Sequence, residues 1–233
     1  MGVHDGHRER LRRRFLENGL DNFNELNALE LLLFYSVPRR DTNVLAHDLL
    51  EYFGSLDAIF CASQQELMAV EGVRETTASL LMLIPQIMRK SKVAGTNKIR
   101  VIRSTEDAAN YLLPRFLYIG HEVIFMLCLD SKKRVIDCVE MGRGVVNSVN
   151  VDIRRLVETA LKYRAASVII SHNHPDSYAQ PSVEDDLMTQ QICAALALVN
   201  IPLEDHIIVA GEEYVSYREL GMLDYLSRKS GKA

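Results

Sequence analysis

The chain has 233 residues, 48% of them apolar and 25% charged. Those proportions belong to an ordinary globular protein and exclude a disordered, collagen-like or coiled-coil chain as the dominant state. At a prior of about 150 residues per domain the length reads as one large domain or two small ones, and two are favoured. A formal net charge of −4 excludes a molecule that binds polyanions over its whole surface, because phosphate affinity comes from clustered Lys and Arg.

No membrane association and a cytoplasmic location are expected. Residues 1–15 are charged and lack an apolar stretch of signal-peptide type, and Gly6 stands where a myristoylation signal needs Ser or Thr. The longest apolar runs, such as Val123–Leu129 and Ala78–Ile84, stop far short of the roughly 18 residues of a membrane span. Cys61, Cys128, Cys138 and Cys193 are scattered and form no Cys-x-x-Cys pair, which suits buried thiols of a reducing compartment.

Residues 1–90 carry apolar side chains at spacings of three and four and predict a small all-α domain. Arg8, Arg10, Arg12, Arg13 and Arg14 cluster on the first helix against the single Glu9. The cluster reads first as a solvated helix face and, alternatively, as a phosphate-contact surface carried by Arg10, Arg13 and Arg14. Asp41-Thr42 is a start signal for a helix holding Val44, Leu45 and Leu49, and Ser63 with Glu66 predicts a capping box. The polar stretch 91–104 predicts a linker to a second domain at 105–233. Through residue 100 there are 13 basic and 13 acidic residues, leaving 14 and 18 beyond it, so the acidity lies in the second half.

That half alternates element types and predicts an α/β layer fold. Val123–Leu129 is a strand covered on both faces, turned by Asp130–Lys133 into Arg134–Met141 as a central hairpin. Ile153, Leu156, Val157, Ala160 and Leu161 follow helical spacing, and Ser167–Ser171 is a second buried strand. A helix begins near Ser182, strands follow at His206–Ala210 and Tyr214–Tyr217, and Ser227–Ala233 reads as a frayed tail.

The chemistry sits at His172-Asn173-His174. Residues two apart at a strand end point the same way, so both imidazoles can address one point. Asp185, in the first turn of the next helix, can fold back over that end as a third ligand. Two imidazoles and a carboxylate leave one tetrahedral position for water, the stoichiometry of a catalytic zinc site. His206 belongs to a separate strand, and with three ligands already present it is assigned to support or packing. No His-Glu-x-x-His helix and no Pro-Cys-x-x-Cys accompany the motif, which sets aside two other zinc chemistries.

His-x-His-x(7)-Ser-x-x-Asp is the signature of the JAMM, or MPN-plus, metalloprotease superfamily, and the surrounding residues resemble its bacterial RadC branch. Glu122-Val123 leading to Leu129-Asp130, the glycine turn Gly144–Ser148, Ala165–Pro175 and Pro202–Val209 carry the resemblance. It implies a mixed-sheet JAMM/MPN-type domain preceded by a helix-hairpin-helix-like region. It further implies zinc held by His172, His174 and Asp185, with Glu122 as general acid/base and Ser182 assisting. Two departures stand out. Asp176-Ser177-Tyr178 replaces the Ser-Gly that often follows the motif, and Arg74 replaces the second glycine of the hairpin at Val70–Ala78. The expected function is zinc-dependent hydrolysis of a peptide or isopeptide amide in a protein substrate. The alternative is a DNA-associated repair accessory protein that binds through its N-terminal domain and whose zinc is structural or vestigial.

Overall fold

Six helices form the first part of the computed structural model, which describes residues 3–38, 41–144, 151–175 and 177–230. They are α1 (Val3–Asn18), α2 (Glu25–Leu33), α3 (Asn43–Phe53), α4 (Leu56–Cys61), α5 (Gln64–Ala69) and α6 (Glu75–Gly95). Local chemistry starts most of them. Asn24 and Ser55 cap α2 and α4 by accepting backbone N–H groups, and Ser63 and Glu66 form the expected reciprocal capping box of α5. At α3 the start signal works through Asp41, which accepts the Asn43 N–H at 2.9 Å, while the Thr42 side chain makes no cap bond. Leu29, Leu33, Leu49, Ile59, Leu67 and Leu81 are fully buried together, and this unit spans Met1–Met88.

The turn from α5 to α6 tucks Val70 and Val73 into that core around Gly72, whose φ is +91°. A Cβ there would also meet the Leu45 side chain at 3.3 Å. Gly72→Ala is therefore expected to destabilise the helical unit by about 1–3 kcal/mol, the usual cost of a left-handed non-glycine residue. A urea unfolding midpoint checks this, and an unchanged midpoint would contradict it.

The second unit spans Arg89–Ala233. Most of the expected linker, 91–104, is structured. Helix α6 continues to Gly95, a 3-10 turn follows at Thr96–Lys98, and Val101 bridges Arg134. Ile102 is buried and donates its N–H to the Lys133 carbonyl. Polar composition concealed the β-branched Val101-Ile102 pair that docks the segment on the hairpin turn.

Helix α7 (Thr105–Phe116) leads into β1 (Glu122–Leu129), β2 (Val135–Gly144), α8 (Ile153–Lys162), β3 (Ser167–Asn173), α9 (Val183–Ala197), β4 (Leu203–Ala210), β5 (Glu213–Ser216) and α10 (Met222–Ser230). The sheet order is β2-β1-β3-β4-β5. The β1–β2 hairpin thus lies at one edge and is not central; of its two strands, β1 alone pairs on both sides. Strands β1 and β3 are antiparallel, β3 and β4 parallel. The expected frayed tail is helical as far as Ser230, because Leu223 and Leu226 are buried with Ile208 and Tyr217 and carry α10 onto the domain. Of the glycine turn Gly144–Ser148, residues 145–148 lie outside the described residues.

Strand periodicity divides the side chains between two faces. Ile124, Met126, Cys128, Val168 and Ile170 pack against Leu156 and Ala160 of α8 and Ile192 and Leu196 of α9. Leu127, Leu129, Ile169, Ile207 and Val209 pack on the other side against Ala108, Tyr111, Leu112 and Phe116 of α7. The result is a mixed α/β sheet with helices on both faces. No helix among the described residues is long and apolar enough to cross a membrane.

Candidate metal centre

His172 continues the Val168–Ile170 face of β3 by two-residue periodicity, and so points to the side that α9 covers. His174 follows one step beyond the strand, where its N–H still donates to the Val209 carbonyl at 2.8 Å and prolongs the parallel pairing with β4. Asp185 enters from the first turn of α9. Its placement comes from a capping box: Ser182 Oγ accepts the Asp185 N–H at 3.1 Å, while the Asp185 carboxylate accepts the Ser182 N–H at 2.9 Å and the Ser182 hydroxyl at 2.6 Å.

These elements bring His172 Nε2, His174 Nε2 and an Asp185 carboxylate oxygen within 4.8 Å of one another. The two Nε2 atoms are 2.9 Å apart, and Asp185 Oδ1 and Oδ2 lie 2.9 and 3.4 Å from His172 and His174 respectively. His174 Nδ1 is 3.1 Å from the Tyr178 carbonyl. A carbonyl only accepts, so the Nδ1 of His174 holds the proton and its Nε2 offers a lone pair. Behind His172, its Nδ1 lies 2.8 Å from His206 Nε2, and His206 Nδ1 lies 2.6 Å from Thr189 Oγ1. The donor set is two neutral imidazole nitrogens and one negatively charged carboxylate around one point, which fits a borderline divalent cation such as Zn²⁺.

The carboxylate and the imidazoles favour each other's charged forms. The hydrogen bond with Asp185 raises the His174 pKa against its partial burial. Burial alone would lift the Asp185 carboxyl, but His172 and His174 outweigh it and hold Asp185 well below the usual carboxylate range. His206, fully buried, is held well below the ordinary imidazole value by desolvation and then by its neighbour His172, and stays neutral. Burial pushes the Cys128 thiol up to about 11 and the Cys138 thiol up to about 12, which leaves both inert as nucleophiles.

Ile124 pairs with His172 across β1 and β3. The same register carried two residues along each strand sets Glu122 across from His174, and the negative charge of Glu122 adds to the upward push on that imidazole. Asn173, between the two histidines and 4% exposed, holds Glu122 from both sides. Its Oδ1 accepts the Val123 N–H at 2.8 Å, and its Nδ2 donates to the His121 carbonyl at 3.0 Å.

Three supporting groups were not singled out from the sequence: Asn173, Thr189 and the Tyr178 carbonyl. Thr189 had a readable signal, a polar side chain four residues after Asp185 on the buried face of α9, and it is 0% exposed. Ser182 caps α9, and its single hydroxyl proton is engaged with Asp185, whose carboxylate it orients. Arg14 does not present a free guanidinium for phosphate. It donates to the Asn22 carbonyl and sits 4.2 Å from the Phe23 ring. Arg8 and Arg12 lie over Phe34 in the same way, while Arg10 and Arg13 are exposed. Asp176 lies outside the described residues.

The fold is an α/β domain with a His-His-Asp cluster that could hold a metal ion at the exit of a central strand. A family profile described as the RadC-like JAB domain matches residues 102–222. The chain belongs to this family. It is 34% identical over 227 residues to a UPF0758 protein of Fusobacterium nucleatum, spanning 94% of this chain and 97% of the relative. It is 35% identical over 216 residues to a UPF0758 protein of Aromatoleum aromaticum, spanning 92% and 96%. A relative from Shewanella loihica is 31% identical over 213 residues. These names state no activity.

Proposed function

We propose that the chain is a zinc-dependent hydrolase of the JAMM type that cleaves a peptide or isopeptide amide. The single observation that carries the reading is the convergence of His172 Nε2, His174 Nε2 and the Asp185 carboxylate, three protein donors where a closed structural zinc site would have four. A zinc ion held there would supply Lewis acidity toward the amide carbonyl and lower the pKa of a hydrolytic water to about 7. The protein does the rest. Glu122, across from His174, takes a proton from the attacking water and returns it to the leaving nitrogen. Ser182 holds Asp185 in line, and Asn173 holds the strand end that bears Glu122.

The four scattered cysteines, all free, accord with a cytoplasmic setting. The repair-accessory alternative loses one of its three named phosphate contacts, since Arg14 packs on the Phe23 ring, while Arg10 and Arg13 are exposed.

The test uses Glu122→Gln, zinc content and a quenched-fluorescent peptide and isopeptide library. The variant is expected to retain its metal and lose about 10²–10⁴-fold in cleavage rate, the usual contribution of a general acid/base. Wild-type protein that takes up no zinc would sink the reading. Unchanged turnover in the variant would remove Glu122 from it.

A further inference from the structure

At the end of the sheet away from the His-His-Asp cluster, where β1 ends and β3 and β4 begin, a cavity of about 410 Å³ opens. The segment 101–105, the β1–β2 turn and the turn after β5 enclose it. Its size is that of a small-molecule site, since such pockets run from about 300 to 1,000 Å³. Its lining is charged against the sign of the domain. Arg103, Lys132, Lys133 and Arg218 line it together with Glu204 and Asp205, four cations against two carboxylates. The chain beyond residue 100 holds 14 basic and 18 acidic residues, so the excess of cations here is local.

Both carboxylates are already occupied within the protein. One oxygen of the buried Asp205 accepts the Thr105 and Ser216 hydroxyls at 3.2 and 2.6 Å, and the other accepts the N–H groups of His206 and Arg218 at 2.8 and 3.0 Å. Glu204 pairs with Lys133, whose ammonium also donates to Ser167 Oγ at 3.3 Å. Just outside the lining, Asp130 pairs with Arg134 Nε at 2.6 Å, and Asp107 accepts the Arg103 N–H at 2.8 Å. The side chains of Arg103, Lys132 and Arg218 have no carboxylate partner among the described residues. The backbone that carries them is fixed before any ligand arrives. Ile102 donates to the Lys133 carbonyl and Lys133 to the Asp130 carbonyl, both at 2.9 Å, while Asp205 holds the Arg218 N–H. Such preorganisation lowers the ordering cost of binding.

We propose that this cavity binds a small molecule through a phosphomonoester or pyrophosphate group held by Arg103, Lys132 and Arg218. Guanidinium forks and an ammonium are the side chains that recognise phosphate oxygens. Three cations without partners match a group of two or three negative charges better than a lone carboxylate. A nucleic-acid duplex is bound through contacts spread over several phosphates, whereas these cations gather on one recess. No metal ligand takes part, so the proposal stands or falls independently of the metal reading.

Calorimetric titration of the full chain at low ionic strength, with inorganic pyrophosphate and with adenosine diphosphate, tests this. Saturable binding is expected, with amide NMR shifts confined to residues 101–105, 130–134 and 216–219. Lys132→Ala and Arg218→Ala, both at exposed positions, should each weaken binding about 10–100-fold, the scale of one hydrogen bond to a charged group. Arg10→Ala combined with Arg13→Ala, in the helical unit, should change nothing. Equal affinity for the two probes would assign the site to the phosphate groups alone, and tighter binding of the nucleotide would add contact with its base; either result supports the proposal. No saturable binding to the wild type overturns it. So do shifts centred on residues 172–185, which would put the anion at the metal cluster, and a loss confined to the Arg10 and Arg13 variant. Duplex DNA that displaces pyrophosphate with a salt slope of several phosphates, at about −0.9 each, would give these cations to nucleic acid and overturn the small-molecule assignment.

Discussion

His174→Ala is expected to weaken zinc binding by about 10²–10³-fold and leave the fold standing. Structural zinc in small domains contributes about 10–16 kcal/mol through four ligands. One ligand is then worth about 3–4 kcal/mol, and each 1.4 kcal/mol is a factor of about ten. The fold should tolerate the change because the His174 side chain lies beyond the end of β3 and touches solvent, while its N–H bond to the Val209 carbonyl belongs to the backbone and survives. Zinc at about 100 times its dissociation constant should stabilise the wild type by about 2.7 kcal/mol, visible as a raised unfolding temperature, and should do little for the variant. Equal metal content in the two proteins would contradict the assignment of His174 as a ligand.

Asn173→Ala is expected to separate catalysis from metal binding. Loss of the amide leaves the buried Val123 N–H without the acceptor that replaces a strand partner there, because the β1–β3 ladder ends at Ile124 and His172. An unsatisfied buried donor costs about 1–3 kcal/mol, and a chain of this size loses about 2–4 °C in Tm per kcal/mol. His172 and His174 keep their own supports, from His206 and the Tyr178 carbonyl. Zinc affinity should therefore change less than tenfold, while cleavage falls about 10²-fold through misplacement of Glu122, an effect in scale with small displacements of a reacting group. Calorimetry, chelator competition and the peptide-library assay on the same preparation check the three parts. Full activity in a variant that is destabilised as expected would show that Asn173 serves stability alone.

Much of the second unit could be read locally. Val123–Leu129 and Ser167–Ser171 are continuous apolar runs because both faces of β1 and β3 are covered, and the α5 capping box is a contact between neighbours in sequence. The misreadings share one cause. The segment 91–104 resembles a linker because its partner, the hairpin turn, lies more than thirty residues away in sequence. The β1–β2 hairpin looked central because pairing with β3 on one side of β1, and nothing beyond β2 on the other, is a property of sheet order. The tail from Ser227 read as frayed because it is polar and charged, and the helix that reaches Ser230 is anchored by Leu223 and Leu226, just before it, against Ile208 and Tyr217.

What the sequence by itself determined is the donor set. His172 and His174 at two-residue spacing on a strand end, and Asp185 three residues after a capping Ser182, are constrained by strand and helix periodicity that tertiary structure only carries out. Tertiary structure alone decided how those donors are tuned. The support behind His172 comes from His206 and Thr189, 34 and 17 residues away, and the placement of Glu122 depends on register with β3 and on Asn173, 50 residues from the N–H it holds. Ligand identity follows from local geometry. Alignment is set by hydrogen bonds closed between distant segments, and those exist only once the sheet has formed.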